Sequence, residues 1–189
     1  MTDHRPEDVL AFWFGTGAEY GKRHKRWFAK DPALDGAVKA RFPGLCEELA
    51  DEEIWLDSAP ACLARILALD QFPRHLFRGT PRAFAFDPAA LQSARLAIDR
   101  GYDSALLPVE RMFVYLPFEH SEALEDQQRA CALTEPLVAF PETADAHRYA
   151  LAHCQVIRRF GRFPHRNGIL GRESTPEELA FLEQPGSSF

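Results

Sequence analysis

Nowhere in the 189 residues do apolar and polar side chains alternate with a period of two for long enough to line one face of a strand. Apolar residues recur instead at intervals of three and four, in segments punctuated by proline and glycine. That pattern dictates an all-α fold of about eight helices joined by short turns, and short turns favour antiparallel neighbours. The segments follow from their caps. Pro6 opens a helix carrying Val9, Leu10, Phe12, Trp13 and Phe14, which Gly15 stops. Residues 20–30 connect to the next helix, with Trp27 and Phe28 as aromatic anchors. Asp31-Pro32, Ser58-Ala59-Pro60 and Asp87-Pro88 each read as an N-cap followed by proline, and Gly101 closes the helix begun at Asp87.

Further along, Pro73 predicts that the third helix exits at Phe72, because a residue preceding proline is pushed out of the helical region. By the same reasoning Pro108 begins a helix that Pro117 ends, and a new one starts around Glu119-His120-Ser121-Glu122 and breaks near Pro136. A long helix from about Thr143 to Phe160 carries Tyr149, His153, Val156 and Ile157 on one face and is capped by Gly161. Thr175-Pro176-Glu177-Glu178 is a capping box for a short last helix.

The length suits a single domain, 1–189, that buries roughly 70% of its unfolded surface. A hydrophobic content of 46% excludes a disordered chain, and the net charge of −6 argues against general nucleic-acid or anionic-membrane binding. The charge is uneven. Between Asp145 and Arg172 six arginines face one acid, a local +5 on a remainder of −11. Cys46, Cys62, Cys131 and Cys154 have no zinc-ligand spacing and read as apolar fillers in a reducing compartment, and neither a signal segment nor a membrane span is present, so the expected location is cytoplasmic.

Three polar constellations carry possible chemistry. Arg158 to Arg172 places five arginines, His165 and Asn167 at a helix exit, where guanidinium forks can grip a carboxylate or phosphate. The same arginines can instead close off the last helical carbonyls. Asp70, Gln71 and Arg74 form the second group. A carboxylate at a helix C-terminus calls for a cation, and Arg162 or Arg166 fits that role in a structural tie. Glu119-His120-Ser121-Glu122 is the third: two carboxylates around an imidazole suit acid–base work, although Ser121 can equally be an N-cap. His153 on its apolar face reads as a hydrogen-bonded core residue, and the three tryptophans as core. Gln71-Phe72-Pro73-Arg74-His75 and Arg162-Phe163-Pro164-His165-Arg166 echo one another, which suggests two equivalent helix exits facing one space.

Several chemistries find no support. There is no Gly-x-Ser-x-Gly elbow, no His-Glu-x-x-His, and no glycine-rich phosphate loop after a strand, so neither a metal nor a cofactor is expected.

Leu69-Asp70-Gln71-Phe72-Pro73-Arg74, Leu116-Pro117-Phe118-Glu119-His120-Ser121-Glu122, the run from Arg159 to Asn167, Leu170-Gly171-Arg172 and the Phe12-Trp13-Phe14-Gly15 start together resemble the bacterial family called domain of unknown function 924. The resemblance spans Val9 to Phe189. It implies a tetratricopeptide-like right-handed superhelix of antiparallel helix pairs and implies no activity. Such stacks present a concave face. The leading expectation is a polar pocket on that face for a small anionic molecule, built from Asp70, Arg74, Glu119, His120, Arg162, His165, Arg166 and Asn167. The alternatives are a module that clamps an acidic peptide or a C-terminal carboxylate, and a hydrolase or transferase using His120 with Glu119 and Glu122. RNA binding ranks last, against the acidic remainder.

Overall fold

In the computed structural model, residues 4–187 are described. Phe189, up to which the family resemblance runs, and the extreme ends of the expected 1–189 domain lie outside them. The described residues hold nine α-helices and no strand: α1 (Pro6–Phe14), α2 (Pro32–Arg41), α3 (Leu45–Asp51), α4 (59–76), α5 (Asp87–Asp99), α6 (Pro108–His120), α7 (Leu124–Thr134), α8 (Ala146–Phe160) and α9 (Pro176–Leu182). From α4 to α8 each helix packs on the next, and α1 returns onto α4. This is the neighbour pairing that a stack of helix pairs requires.

The expected caps at Asp31, Ser58 and Thr175 are in place. Asp31 accepts from the backbone of Ala33 and Leu34, Ser58 from Ala61, and Thr175 exchanges hydrogen bonds with Glu178. Gly101 and Gly161 supply the left-handed residues, φ 68° and 69°, that end α5 and α8. Asp87 differs. Phe86 occupies the cap position and the Asp87 side chain caps nothing, because its carboxylate is held by arginines. Of the two aromatic anchors in 20–30, Trp27 is buried and stacks on Trp13, whereas Phe28 is 52% exposed and lies parallel to Phe113. Trp13 and Trp27 are core; Trp55 is only partly buried.

Proline placement departs most from the sequence reading. The third helix does not stop at Phe72: residues 67–71 widen into a π-turn, in which the Phe72 N–H donates to Leu67 C=O, and the chain continues helically to Leu76. The wider turn makes room for the Pro73 ring, which would press on a regular preceding turn. Its cost is the Ala68 carbonyl, which would serve Phe72 in an α-turn or residue 73 in a π-turn, and proline has no N–H. The Cys46 thiol, 3.1 Å away and fully buried, donates to that carbonyl. Burial pushes this thiol up to about 12, so it stays a donor. Cys46→Ala is therefore expected to lower stability in urea unfolding by about 2 kcal/mol, an orphaned carbonyl added to a small cavity. Cys62, whose thiol meets Ser93 C=O only at 3.5 Å, provides the comparison. An equal or smaller loss in Cys46→Ala than in Cys62→Ala would contradict this role.

Pro117 likewise sits inside α6, which runs on to His120, so Glu119 and His120 end one helix rather than begin another. Packing overrides the local preference here. Leu116 and Phe118 are buried on either side, and Gln127 of α7 donates through Nε2 to the carbonyls of Phe118, Glu119 and Ser121 at 3.3, 2.6 and 2.7 Å. Ser121 is consequently the C-cap of α6, and its hydroxyl donates to Asp126 and accepts from Ala123 N–H.

The main core is aromatic where α1, α4 and α6 meet. Trp13 presents its faces and edges to Trp27, Phe72 and Phe113 at centroid distances of 5.6–6.1 Å. Each such pair adds roughly 0.5–1.5 kcal/mol beyond area burial. No helix among the described residues is long and apolar enough to cross a membrane.

Candidate functional site

The π-turn of α4 and the C-terminal end of α6 bring Asp70 and His120 together. Asp70 Oδ1 is 2.6 Å from His120 Nδ1, Gln71 Nε2 donates to Asp70 Oδ2 at 2.6 Å, and Arg74 Nη1 stands 3.6 Å from Oδ1 while also donating to the Asp70 main-chain carbonyl. Asp70 is only 1% exposed. Burial alone would raise its proton affinity, but His120, Arg74 and Gln71 together hold it below the usual carboxylate range, so it is ionised. Burial pushes His120 down, and Arg74 pushes further in the same direction. A neutral His120 with its Nδ1–H donated to Asp70 leaves Nε2 as a lone-pair acceptor.

Arg74 then binds Asp87 with both ends of its fork, at 2.9 and 3.2 Å, and Arg166 reaches the same carboxylate at 3.4 Å. The echo between the two Phe-Pro segments has a physical counterpart: Arg74 and Arg166 meet on one acid. Asp70, however, is served by Arg74 and His120, and among the described residues neither Arg162 nor Arg166 hydrogen-bonds to it.

Arg166 is the unusual member. Its guanidinium lies 4.6 Å from the ring centres of both Phe84 and Phe163 and the residue is 7% exposed. Its Nε is buried with no acceptor, and the 3.4 Å contact from Nη1 to Asp87 is the one hydrogen bond its guanidinium makes to the described residues. Burial lowers its pKa to about 10, which still leaves it charged near neutrality. A buried cation normally satisfies most of its five donors. Here the Nε–Nη2 edge does not.

Glu119, one residue before His120, is 2% exposed. Burial, reinforced by Asp70, raises its pKa to about 8, so it carries a proton at pH 7. His153 Nδ1 approaches Glu119 Oε2 at 3.6 Å but is committed to Tyr149 C=O at 2.8 Å, and burial lowers its pKa to about 3. The approach is between two neutral groups, not an ion pair. His153 is thus a hydrogen-bonded core residue as expected, but Tyr149, placed on the same apolar face by periodicity, is 43% exposed.

Most of the arginine loop is consumed within the protein. Arg172 forks onto Glu122 at 2.7 and 3.0 Å, Arg162 onto Glu178 at 2.6 and 2.8 Å, and Arg159 onto Glu177. Arg158 donates to the Cys154 thiol at 3.8 Å. Asn167, 1% exposed, ties the loop to Ser174 and Glu178, and Glu122 also accepts from the Phe163 backbone N–H at 2.8 Å. His165 packs on Phe163, and burial brings its pKa down to about 4. The nine candidate residues therefore fall into two groups. Asp70, Arg74, Glu119, His120 and Arg166 meet in one polar interior with Asp87 and His153, and His165 adjoins them. Glu122, Arg162 and Asn167 fasten the loop. Two shallow clefts of about 400 and 330 Å³ open elsewhere, around Arg148 and Leu151 and around Leu10 and Tyr20. The described residues contain no cluster of His, Cys, Asp and Glu able to hold a metal ion.

Asp87 escaped the sequence reading because Asp-Pro is the commonplace start of a helix, and Phe84 because nothing marks its ring as half of a guanidinium sandwich. The family model described as a bacterial protein of unknown function, DUF924, matches residues 9–186. The chain belongs to this family. Its match contains every residue of the polar interior. The solved structure of the protein of unknown function ATU0120 from Agrobacterium tumefaciens is 43% identical, with 94% of this chain and 96% of that chain covered and a TM-score of 0.81. No curated protein matches.

Proposed function

We propose that this member of the family binds a small oxyanion, a carboxylate or a phosphate-like group, against the Nε–Nη2 edge of Arg166. One observation carries the reading: a charged arginine, clamped between two rings and 93% withdrawn from solvent, lacks an acceptor on the edge best suited to a planar or tetrahedral oxyanion. Arg74 and Asp87 hold the guanidinium in register, and the rings stop it turning away to the surface. The loop arginines first expected to grip the anion serve instead as fasteners. A peptide's terminal carboxylate presents the same chemistry, but the burial of Arg166 suits a small head group.

A ligand present at a hundred times its Kd contributes roughly 2.7 kcal/mol, so sulfate, phosphate or a short carboxylate is expected to raise Tm by about 5–10 °C. Arg166→Lys keeps the charge but removes the fork and is expected to lose most of the rise. Arg159→Ala, which removes an exposed arginine of the same loop, is expected to retain it. No shift with any of these anions in the unaltered protein would overturn the reading.

The Asp70–His120 pair favours a second reading, proton transfer on the bound molecule. A carboxylate on Nδ1 fixes the ring and its tautomer, as in bases that take a proton through Nε2. Glu119, still protonated at pH 7, is an acid in the same interior. Hydrolase or transferase chemistry would draw on these two groups.

A further inference from the structure

We infer that the outer stripe of α8 is an interface between two copies of this chain, a two-fold dimer in which the cleft on each α8 receives α9 of the other copy. This surface is on the side of α8 turned away from His153 and the polar interior, so it stands or falls apart from the oxyanion site.

α8 ends the run in which each helix packs on the next. Its inner face buries Ala146, Ala150, His153, Cys154 and Ile157. Side chains three, four and seven residues apart share one face of a helix, so Arg148, Leu151, Ala152, Gln155 and Arg159 form the opposite stripe, exposed everywhere except at the half-buried Ala152. The N-terminal half of this stripe, with Val138 and Ala144 beside it, lines a cleft of about 400 Å³. Leu151 is 43% exposed and Val138 50%, so two large aliphatic side chains meet water in the same cleft.

The cleft and α9 are chemically complementary. α8 contains three arginines and no acid. Arg148 lies over the Tyr149 ring at 4.6 Å and forms no ion pair with the described residues. α9 and its C-cap carry Glu177, Glu178 and Glu183 and no cation. Leu179 and Glu183, four residues apart, share one face of α9. Leu179 is 54% exposed, and Glu183 is exposed with no ion pair to the described residues. Each patch therefore sets an exposed aliphatic side chain near an uncompensated charge, and the two charges are opposite in sign.

The place of α9 makes the contact self-complementary. Glu177 binds Arg159 at 2.8 Å and Phe181 packs on Phe160 at 5.1 Å, so α9 is attached at the C-terminal end of the same stripe. At 1.5 Å per residue, Ala146 and Arg159 lie about 9 and 10 Å from Ala152 in opposite directions. Two α8 helices crossing antiparallel at the small Ala152 thus bring the cleft of each opposite the α9 of the other, as an isologous contact requires. Leu179 then enters the cleft beside Leu151 and Val138, and Glu183 meets Arg148.

The test is sedimentation velocity on the full chain at concentrations from about 1 to 500 µM, which bracket a micromolar Kd. A small interface of this kind is expected to give a dimer with a Kd of roughly 1–50 µM, several-fold weaker at high salt. Leu151→Glu and Leu179→Glu, both at exposed positions, are each expected to leave only monomer with an unchanged circular dichroism spectrum. Leu107→Glu, which alters an exposed leucine outside both patches, is expected to leave the dimer intact. Charge exchange identifies the patches: Arg148→Glu and Glu183→Arg are each expected to weaken self-association about tenfold. An equimolar mixture of those two variants is expected to dimerise as tightly as the parent, because both contacts of the mixed pair then join opposite charges. A parent protein that is monomeric throughout the series would overturn the inference and leave the stripe to a partner of different sequence. A dimer retained in Leu151→Glu would place the association on another face and also overturn it. A mixture no tighter than its separate components would overturn the seating of α9 in the cleft.

Discussion

Glu119→Gln is expected to stabilise the protein at pH 7 by roughly 3 kcal/mol and to have little effect below pH 4.5. A carboxyl whose folded pKa is raised to about 8 from an ordinary 4.5 keeps its proton on folding, while the unfolded chain gives it up. Its favourable contribution is complete below 4.5, declines as pH rises, and is lost by the time pH passes 8. Gln has the shape of the protonated acid and cannot ionise in either state, so it removes this penalty. Chemical denaturation of parent and variant at pH 4, 6 and 8 measures the difference, which should grow with pH. A gain of the same size at pH 4 and pH 8, or a loss at pH 8, would show that Glu119 is not held protonated by its surroundings.

Asp70→Ala has the opposite character and an effect of similar size, a loss of about 3–5 kcal/mol near neutrality, the usual cost of removing one partner from a buried charged network. Without the carboxylate, His120 Nδ1 and Gln71 Nε2 lose their acceptor, and Arg74 retains Asp87 and the Asp70 main-chain carbonyl. The pH window is also reversed. Asp70 is held below the ordinary carboxylate value of 3.8, so its contribution is present above that pH and is lost as pH falls toward the folded value. The acid limb of the parent's stability profile should therefore be steeper than that of Asp70→Ala. A loss under 1 kcal/mol, with an unchanged acid limb, would mean that the network is held mainly by packing. Two carboxyls in one interior thus titrate in opposite directions because cations and donors converge on Asp70, while Glu119 meets a neutral imidazole.

Much of the fold was legible from the chain alone because caps are local. Asp31, Ser58, Gly101, Gly161 and Thr175 act on atoms within a few residues of themselves, and each does what its position implies. Pro73 and Pro117 misled because their effect depends on distant partners. A thiol from α3 rescues one carbonyl at the first, and buried neighbours with a glutamine from α7 carry the helix past the second. The site was legible in its parts but not in its wiring. The three polar segments do converge, yet Asp70 finds His120 and Arg74 rather than the loop arginines, and Glu122 rather than Glu119 takes a loop arginine. No sequence interval encodes which of the five arginines will lack a carboxylate of their own, as Arg158 does in donating to the Cys154 thiol and Arg166 in sharing Asp87. The outcome depends on Glu177 and Glu178 claiming two of them from α9, Glu122 a third, and two phenylalanines enclosing Arg166 beside an acid that Arg74 already occupies.

Nε of Arg166 is observed directly in ¹⁵N–¹H spectra of the arginine Nε–H groups during a sulfate titration. A single Nε–H resonance, assigned by its loss in Arg166→Lys, is expected to move downfield and saturate with sulfate while those of Arg74, Arg162 and Arg172 stay in place. An Arg166 Nε–H that does not respond at sulfate concentrations that raise Tm would place the anion elsewhere and contradict the site.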